Sequence, residues 1–268
     1  MNFHSDEYIM EKVREHYNEA LEYFPEDRIV CLVLQGSQNY GLDTATSDID
    51  TKLIVTPTFR DIAMNKQPIS TTHVRANDEH IDFKDIRSYI QTFRKQNLNF
   101  LEILFSPYFI VNPLYKHEWD RLVVSREEIT HYDHKRAVMS MMGLARTKYK
   151  QLEHDSPSHE EALKKFGYAP KELCHLCRIE EYLERYIAGE PYADCLVSKK
   201  AEYLKDIKAG LWSLDDARRI ALNSMQNVDD MCAKFIETCD KVDETVNELL
   251  DDVQYNIMKI AIEKELGK

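Results

Sequence analysis

A continuous apolar run, RIVCLVLQ at residues 28–35, constrains the fold of this chain more than any other stretch. The run is short, contains β-branched residues and does not alternate apolar with polar positions, so it predicts a strand that is buried on both faces. A second strand is predicted at residues 48–56, and a hairpin at 69–86 with its turn at Asn77 and Asp78. These strands require a sheet that is covered by other elements.

Helical spacing of apolar residues surrounds the predicted strands. Residues 5–24 predict an amphipathic helix with Ser5 as its N-cap and Pro25 as its stop signal. Another helix is predicted to begin after Asp85, and residues 99–107 predict a third. The first half of the chain therefore combines strands with helices.

Beyond about residue 130 the strand signal nearly disappears. Long helices are predicted at residues 134–155 and 170–190, with one or two more towards the C-terminus. We therefore predict an α+β protein, with an N-terminal α/β unit at residues 1–128 and a C-terminal helical bundle at residues 129–268.

Composition favours a globular protein without a membrane segment. Hydrophobic residues make up 43% and charged residues 31% of the 268 residues, and only 7 are glycine, which is typical of a helix-rich globular chain. No apolar run has transmembrane length, and the charged N-terminus is unlike a signal peptide. We interpret the 6 scattered cysteines as reduced, mostly buried thiols. These features predict a cytoplasmic protein.

The charge of the chain limits its partners. The formal net charge is −12, and neither half of the chain is basic. Non-specific binding to a phosphate backbone needs clustered positive charge, so a general nucleic-acid coat is not expected. A local basic pocket remains compatible with this balance.

A glycine-serine turn, Gly36 and Ser37, precedes two acids, Asp48 and Asp50, that begin the second predicted strand. Because side chains alternate along a strand, the two carboxylates lie on one side, about 7 Å apart. A divalent cation would relieve their repulsion and desolvation, and Mg²⁺ prefers oxygen ligands shared with phosphates. The glycine would let the backbone approach a phosphate. Taken separately, each fragment is also compatible with an ordinary turn or a loop-end cap.

The combined pattern, QGSQNYGLDTATSDID at residues 35–50, resembles the nucleotidyltransferase superfamily of DNA polymerase β-like folds. The resemblance implies a mixed sheet flanked by helices. It also implies that Gly36 and Ser37 hold the nucleotide phosphates and that Asp48 and Asp50 bind two Mg²⁺ or Mn²⁺ ions.

The superfamily takes a third acid from a later strand, and we choose Asp82 for it. Asp82 lies in the middle of the predicted strand with an apolar residue on each side. Asp85 is the competitor, but it is better placed as a helix cap, and Asp78 and Glu79 look like turn residues.

Two further segments narrow the resemblance to one branch, the predicted nucleotidyltransferases called RNA-ligase-associated or YcgL-like. These segments are KQNLNFLEILFSP at 95–107 and FGYAPKELCHLCRIEEYLERYIAGEPY at 166–192. The first motif of the branch includes Tyr40, which we assign to nucleotide binding. Leu98 departs from the pattern, because much of the family has a proline there, and the turn is therefore expected to differ.

Three residues of the second segment, Lys171, His175 and Arg178, are spaced i, i+4 and i+7, so they share one helix face. The resemblance implies that they contact the triphosphate of an NTP such as ATP, and that the helical domain completes the nucleotide cleft. The alternative is a solvated helix face. Tyr168 could stack on a base or pack within the bundle.

Two other features admit more than one interpretation. Cys174 and Cys177 form a C-x-x-C pair, which favours buried thiols over zinc because two further ligands with suitable spacing are missing. Glu102 lies in an apolar segment and is expected to form a core ion pair with Arg87 or Arg94, or else to orient the active site.

The resemblance implies a metal-dependent nucleotidyltransferase that moves an NMP from an NTP to an acceptor hydroxyl and releases pyrophosphate. The acceptor could be an RNA or tRNA end, a protein or a small molecule. The alternative is a catalytically silent regulatory or antitoxin-like nucleotide-binding module of the same fold. The complete set of three acids argues against that alternative.

Overall fold

The computed structural model describes residues 3–239 and 242–267 of the chain. Within these residues five strands form one sheet. The strands are β1 (Ile29–Gln35), β2 (Asp50–Val55), β3 (Ser70–Val74), β4 (His80–Asp85) and β5 (Phe109–Val111).

Helices make up most of the remaining described chain. They are α1 (Asp6–Ala20), α2 (Phe59–Ala63), α3 (Ile86–Arg94), α4 (Leu98–Leu101), α5 (Lys116–Val124), α6 (Arg126–His131), α7 (His134–Gln151), α8 (Glu160–Phe166), α9 (Pro170–Ile187), α10 (Tyr192–Leu196), α11 (Ala201–Lys208), α12 (Leu214–Ile236) and α13 (Glu244–Glu265). Short 3₁₀ turns lie at Glu26–Arg28, Ser37–Tyr40 and Glu102–Phe105.

The sheet is mixed, as the resemblance implies, with the strand order β3-β4-β2-β1-β5. Strand β2 runs parallel to β4, whereas β1–β2, β3–β4 and β1–β5 are antiparallel pairs. The predicted hairpin is therefore confirmed. Strand β5 was not predicted, because three residues are too few to show an alternating pattern.

One face of the sheet packs against α1. Ser5 caps this helix, as predicted, by accepting a hydrogen bond from the Tyr8 amide. The buried face of α1 contributes Ile9 and Val13, which belong to the same apolar core as Leu53 and other sheet residues. Burial of such side chains supplies about 1.5–3 kcal/mol each. The predicted N-terminal helix is confirmed, although it ends at Ala20 rather than at the proline.

A set of buried, hydrogen-bonded polar side chains connects α1 to the sheet. His16 Nδ1 lies 2.9 Å from Thr51 Oγ1, and His16 Nε2 lies 3.1 Å from Glu79 Oε2. Arg75 donates to the same Glu79 oxygen at 2.5 Å. Burial favours the neutral acid, but His16 and Arg75 outweigh it and lower the pKa of Glu79 to about 2. Glu79 lies in the connection between β3 and β4, where we predicted a turn residue, and its carboxylate is buried among these contacts.

Contacts within the chain define two compact units, Met1–Tyr132 with Val242–Lys268 and Asp133–Lys241. The division at Tyr132 lies four residues beyond the predicted boundary at residue 128. The final helix, α13, packs against α3 and α5 of the first unit, although we expected it in the helical bundle. Sequence could not show this, because the amphipathic pattern of a helix does not identify the surface that it covers.

The second unit is built around α9, which packs against α7, α10, α11 and α12. Pro170 is at the first position of α9, where its missing amide costs nothing, so the predicted helix is confirmed. Within the described residues, none of the helices is both long enough and apolar enough to span a membrane.

Candidate active site

The glycine-serine turn lies directly beside the start of β2. Gln35, the last residue of β1, pairs with Asp50, the first residue of β2. Gly36 then adopts φ 106° and ψ −161°, a conformation that side chains disfavour. A Cβ on Gly36 would meet only Gln38 Oε1, at 3.6 Å, so backbone conformation rather than lack of space requires glycine here. Ser37 opens the following 3₁₀ turn.

Side-chain amides hold this turn against its surroundings. Gln38 Nε2 donates to the Asp48 carbonyl at 2.8 Å, and Asn39 Nδ2 donates to the Leu34 carbonyl at 3.0 Å. Ser106 Oγ donates to Asn39 Oδ1 at 2.7 Å. The two halves of the motif, separated by ten residues in sequence, are thus tied together in space. Tyr40, which we assigned to nucleotide binding, is buried at the end of the turn.

Strand β2 begins at Asp50, two residues later than the predicted start at residue 48, so Asp48 lies just before the strand. Ile49 between the two acids is buried in the core on the α1 side, whereas Asp48 is exposed and Asp50 half-buried. Asp50 Oδ1 accepts a hydrogen bond from the His80 amide at 2.8 Å, and His80 Nδ1 lies 3.3 Å from the same oxygen. The start of β4 therefore fixes the orientation of Asp50.

Asp82 lies on the neighbouring strand and points to the same face of the sheet. It is in register with Lys52 of β2 and Thr72 of β3. Lys52 Nζ lies 3.1 Å from Asp82 Oδ2, and Thr72 Oγ1 donates to Asp82 Oδ1 at 2.6 Å. Burial raises the pKa of the Asp82 carboxyl, but the Lys52 charge and these hydrogen bonds outweigh it, so the pKa lies below its usual value.

The three acids carry the type of ligand that binds magnesium, but their side chains do not converge on one metal position. Asp50 and Asp82 lie on one face of the sheet, Asp48 lies two residues before β2, and all three offer only oxygen donors, the ligands that Mg²⁺ prefers. In residues 3–239 and 242–267, however, no three Asp, Glu, His or Cys side chains converge closely enough to hold a metal. Lys52 instead provides the positive charge beside Asp82. These carboxylates are suitable ligands for a hard cation such as Mg²⁺. That they bind the same ion remains a prediction.

Sequence reasoning missed several residues of this face. His80 and Lys84 flank Asp82 at spacing two on β4, and Lys52 follows Asp50 at the same spacing on β2. Period-two alternation would have placed all three beside the acids. The pairing of Lys52 with Asp82 required the strand register, which the sequence did not show.

A phenylalanine ring sits beside these lysines. Lys52 Nζ lies 4.3 Å and Lys84 Nζ 4.1 Å from the centroid of the Phe100 ring. Burial lowers the pKa of Lys84, and the charges of Lys52 and Lys95 lower it further, while Asp82 opposes them. Lys52 and Lys84 therefore both contact the Phe100 ring, and Lys52 also pairs with Asp82.

The competitor for the third acid has a structural role. Asp85 caps α3 by accepting from the Arg87 amide, and Arg87 Nη2 lies 2.7 Å from its other oxygen. Arg94 pairs with Asp251 instead. The predicted ion pair of Glu102 with one of these arginines is therefore wrong, because both have other carboxylate partners. Glu102 is nevertheless buried, as expected.

The segment that departs from the family pattern forms a regular helix start. The Asn97 side chain accepts from the Asn99 amide, which makes Asn97 the N-cap of α4 and Leu98 its first residue. Proline is favoured at this first helical position. Leu98 instead places an apolar side chain, 3% exposed, in the interior. Leucine in place of proline at position 98 therefore changes the packing of this segment and not the position at which the helix begins.

The second unit carries a separate group of cations. Lys171, His175 and Arg178 lie on α9, where Lys171 is exposed, His175 half-buried and Arg178 buried. Burial lowers the pKa of His175 well below its usual value, and the charges of Lys148, Arg178, Lys171 and Lys208 lower it further. Lys148 and Lys208 come from α7 and α11, so the sequence could not associate them with α9. We call these five residues the α9 cation cluster.

Two neighbours of this cluster are structural. Tyr168 is fully buried and donates from its hydroxyl to the Trp212 carbonyl at 3.1 Å, so it packs within the bundle. Cys174 and Cys177 are buried free thiols, and burial raises their pKa values to about 11 and about 12. In the part of the chain that is described, neither belongs to a group that could hold zinc.

Comparison with known proteins agrees with the geometry of the sheet. No curated protein matches the chain. A family model described as the RNA repair pathway DNA polymerase beta family matches residues 7–186. The match includes the glycine-serine turn, the three acids and most of α9, and it confirms the resemblance to polymerase β-like nucleotidyltransferases. The family model matches well over half of the chain, so the chain belongs to the RNA repair pathway DNA polymerase beta family.

Proposed function

We propose that this protein is a metal-dependent nucleotidyltransferase that moves an NMP from an NTP to an acceptor hydroxyl. The observation that carries this proposal is the pairing of Gln35 with Asp50, which places the Gly36–Ser37 turn beside the acids. A phosphate-binding turn next to carboxylates on one sheet face is the arrangement that nucleotidyl transfer needs. Family membership supports the same class of reaction.

Asp48, Asp50 and Asp82 would hold two Mg²⁺ or Mn²⁺ ions. When bound, these ions supply positive charge that stabilises the attacking oxygen and the pyrophosphate leaving group. Asp82 must exchange its contact with Lys52 to join them, since Lys52 now occupies one of its oxygens.

The chain's own groups bind and orient the reactants. The half-buried backbone at Gly36 and the Ser37 hydroxyl would hold the outer phosphates of the NTP. Asp50 is held in place by the His80 amide, which fixes one wall of the site. The carboxylate of Asp82 or of Asp50 would accept the proton of the acceptor hydroxyl.

The α9 cation cluster is the second proposed contact for the triphosphate. Burial and four neighbouring positive charges oppose the protonation of His175, and an anion bound beside it would favour that protonation. Lys171 and Arg178 would bind phosphate oxygens, and His175 would gain a proton as they do. This proposal adds Lys148 and Lys208, which the resemblance did not include, to the residues that surround the triphosphate.

We further propose that the acceptor is an RNA end. The description of the family names an RNA repair pathway, which favours RNA over a protein or small-molecule acceptor. The net charge of −12 argues for local rather than general contact with RNA. The buried free cysteines suit a reducing compartment such as the cytoplasm.

The test is incubation of the protein with each α-labelled NTP, Mg²⁺ and a cell lysate, followed by identification of the labelled product. We expect label from one NTP to enter RNA with the parent protein and not with Asp50→Asn. Equal labelling by both proteins, or labelling by neither, would contradict the proposal.

The ion pair between Lys52 and Asp82 favours a second candidate, a catalytically silent nucleotide-binding module. In that case Lys52 permanently replaces a metal ion at Asp82. Binding of an NTP by calorimetry together with no labelled product would support this candidate over the enzyme.

A further inference from the structure

We propose that His16 and Glu79 are positioning residues that hold Asp50 in place from the opposite face of the sheet. This inference rests on the proposed nucleotidyl transfer, in which Asp50 is a metal ligand. Both residues act through neighbours in the chain. His16 contacts Thr51, which follows Asp50, and Glu79 precedes His80, whose amide binds the Asp50 carboxylate.

Alternation along the strands places Asp50 and His16 on opposite sides of the sheet. Leu53 of β2 and Ile81 of β4 belong to the apolar core that also contains residues of α1, whereas Asp50 points to the other face. His16 lies on the buried side of α1 and is fully buried, as is the Thr51 side chain that meets it. His16 therefore contacts the sheet behind the acid and not beside it.

The imidazole of His16 connects the starts of two neighbouring strands. Strands β2 and β4 run parallel, and Thr51 pairs with Ile81, so both strands begin at the same level of the sheet. His16 Nδ1 lies 2.9 Å from Thr51 Oγ1, and His16 Nε2 lies 3.1 Å from Oε2 of Glu79, the residue before β4. Because an ionised carboxylate only accepts hydrogen bonds, Nε2 donates to Glu79. The ring thus holds the two strand starts together.

On the other face, the same two strand starts meet at Asp50. Asp50 Oδ1 accepts a hydrogen bond from the His80 amide at 2.8 Å. The preceding residue, Glu79, is held through its carboxylate by His16 and by Arg75 Nη1, which lies 2.5 Å from the same oxygen. Since the side chain of Glu79 is fixed from two sides, the peptide that carries the His80 amide is fixed with it. The donor that orients Asp50 therefore depends on the contacts of Glu79.

Stability alone does not explain a histidine and a carboxylate beside this core. The desolvation of such a buried pair largely offsets its attraction, and apolar side chains of similar volume often stabilise a fold equally well. The pair supplies hydrogen bonds of defined direction, which apolar packing cannot. Hydrogen-bond partners of metal-binding groups act in this way, and their loss typically weakens metal binding by about 10–100-fold. His16 and Glu79 are suited to this role, although neither needs to touch the metal ion.

The experiment compares the parent with a double variant, His16→Leu with Glu79→Leu, in which neither polar partner remains alone in the interior. Arg75 keeps its contact with Glu19, at 2.7 Å. Calorimetry without nucleotide should show Mn²⁺ affinity reduced by about 10–100-fold. NMR of the metal-free protein should show loss of hydrogen-exchange protection at the His80 amide relative to the Leu53 amide of β2.

A milder variant and a matched control separate positioning from stability. Thr51→Val removes only the hydroxyl that contacts His16 and nearly preserves the shape of the side chain, so it should fold and should change both readouts in the same direction. The control, Glu118→Leu, removes another buried carboxylate, which binds Arg121 at 2.8 Å on α5. It should lower the melting temperature without changing Mn²⁺ affinity or the exchange ratio of His80 to Leu53.

An exchange ratio or a Mn²⁺ affinity that stays at the parent's value in the double variant and in Thr51→Val would overturn the inference, whatever the change in melting temperature. Label transfer from an NTP, measured separately on the parent, reports on the proposed function. Intact transfer together with unchanged Mn²⁺ affinity in the variants would reject only the positioning role. A parent that neither binds Mn²⁺ nor transfers label would reject the proposed function, and this inference with it.

Discussion

The acidic face of the sheet and the α9 cation cluster contrast in how their charges are compensated. On the sheet, Asp82 is paired with Lys52 and bonded by Thr72, and Asp50 accepts from the His80 amide. In the α9 cation cluster, four positive charges act together on His175 and suppress its protonation. The acids of the first region are held by donors of the protein, whereas the second region places several cations around one histidine, with Lys148 also paired to the buried Glu172 at 2.9 Å.

This difference indicates which charged side chains stabilise the folded protein and which contribute little to its stability. An ion pair with a buried ammonium group, such as that of Asp82 with Lys52, contributes to stability, and its loss should destabilise the folded protein. A group of like charges contributes little to folding when no anion is present. The first region must rearrange to accept a metal ion, because Lys52 and Thr72 now hold the two oxygens of Asp82.

The largest expected effect is that of Asp50→Asn on catalysis. Asparagine keeps an oxygen that can accept from the His80 amide but loses the charge that would hold a metal ion. We expect nucleotidyl transfer to fall by at least about 10³-fold while the melting temperature stays equal or rises. Transfer rates and thermal unfolding curves of parent and variant test this. Retained activity would remove the sheet face from the mechanism.

Second in size is the effect of the α9 cation cluster on nucleotide binding. Replacement of Lys171, His175 and Arg178 by alanine should weaken NTP binding by about 100-fold, because charge-assisted hydrogen bonds to phosphate are lost. The loss should be smaller for a monophosphate. Calorimetry with Mg²⁺ present measures both. Equal affinity of variant and parent would make this face a solvated surface.

Gly36→Ala should destabilise the protein by about 1–3 kcal/mol, because alanine is strained at the positive φ of this turn. The matched control is Gly143→Ala in α7, where an added Cβ meets nothing within 4 Å. In a helix interior this control should stabilise by up to about 1 kcal/mol. Chemical denaturation of both variants gives the comparison. Destabilisation of equal size at the two positions would contradict the assigned turn.

A direct contrast of the two regions is Lys52→Met against Lys171→Met. The Lys52 side chain is 4% exposed and pairs with Asp82, so its loss should cost about 1–2 kcal/mol once the partial exposure of Asp82 is allowed for. Lys171 is exposed among cations, and its loss should change stability by less than about 0.5 kcal/mol. Urea denaturation measures both. A larger cost at Lys171 would reverse the comparison.

The smallest expected effect is proton uptake at His175. Its pKa is lowered in the folded state, so below the ordinary value of 6.5 the unfolded chain binds the proton more readily and folding stability falls. A bound triphosphate would raise the pKa of His175, and binding would take up a fraction of a proton. Calorimetry near pH 6 in buffers of different ionisation enthalpy measures this uptake. His175→Gln is the control, and identical uptake in both proteins would exclude His175 as its source.

Much of the fold was accessible from sequence because its signals are local. The Ser5 cap, the apolar run of β1 and the hairpin turn all act through neighbouring residues. The short strand β5 and the packing of α13 on the first unit depend on tertiary contacts. Those contacts leave no trace in periodicity.

The candidate site shows the same division. The closeness of the Gly36 turn to Asp50 agrees with the motif, whereas Asp48 was predicted inside the second strand and lies before it. Lys52 and Phe100 were missed because their relation to Asp82 and Lys84 comes from strand register and from a helix folded back over the sheet. Glu102 was given the wrong partners because Asp85 and Asp251 hold the two arginines.

The central claim is that the sheet face beside Gly36 and Ser37 transfers a nucleotidyl group. Its most direct test follows both ends of one nucleotide, with an NTP labelled separately at its α- and γ-phosphates, in the presence of Mg²⁺ and RNA. We predict that the α label becomes covalently attached to RNA, that the γ label leaves in pyrophosphate, and that Asp50→Asn does neither. Transfer of the γ label to the acceptor, or release of orthophosphate with no attached α label, would contradict the claim.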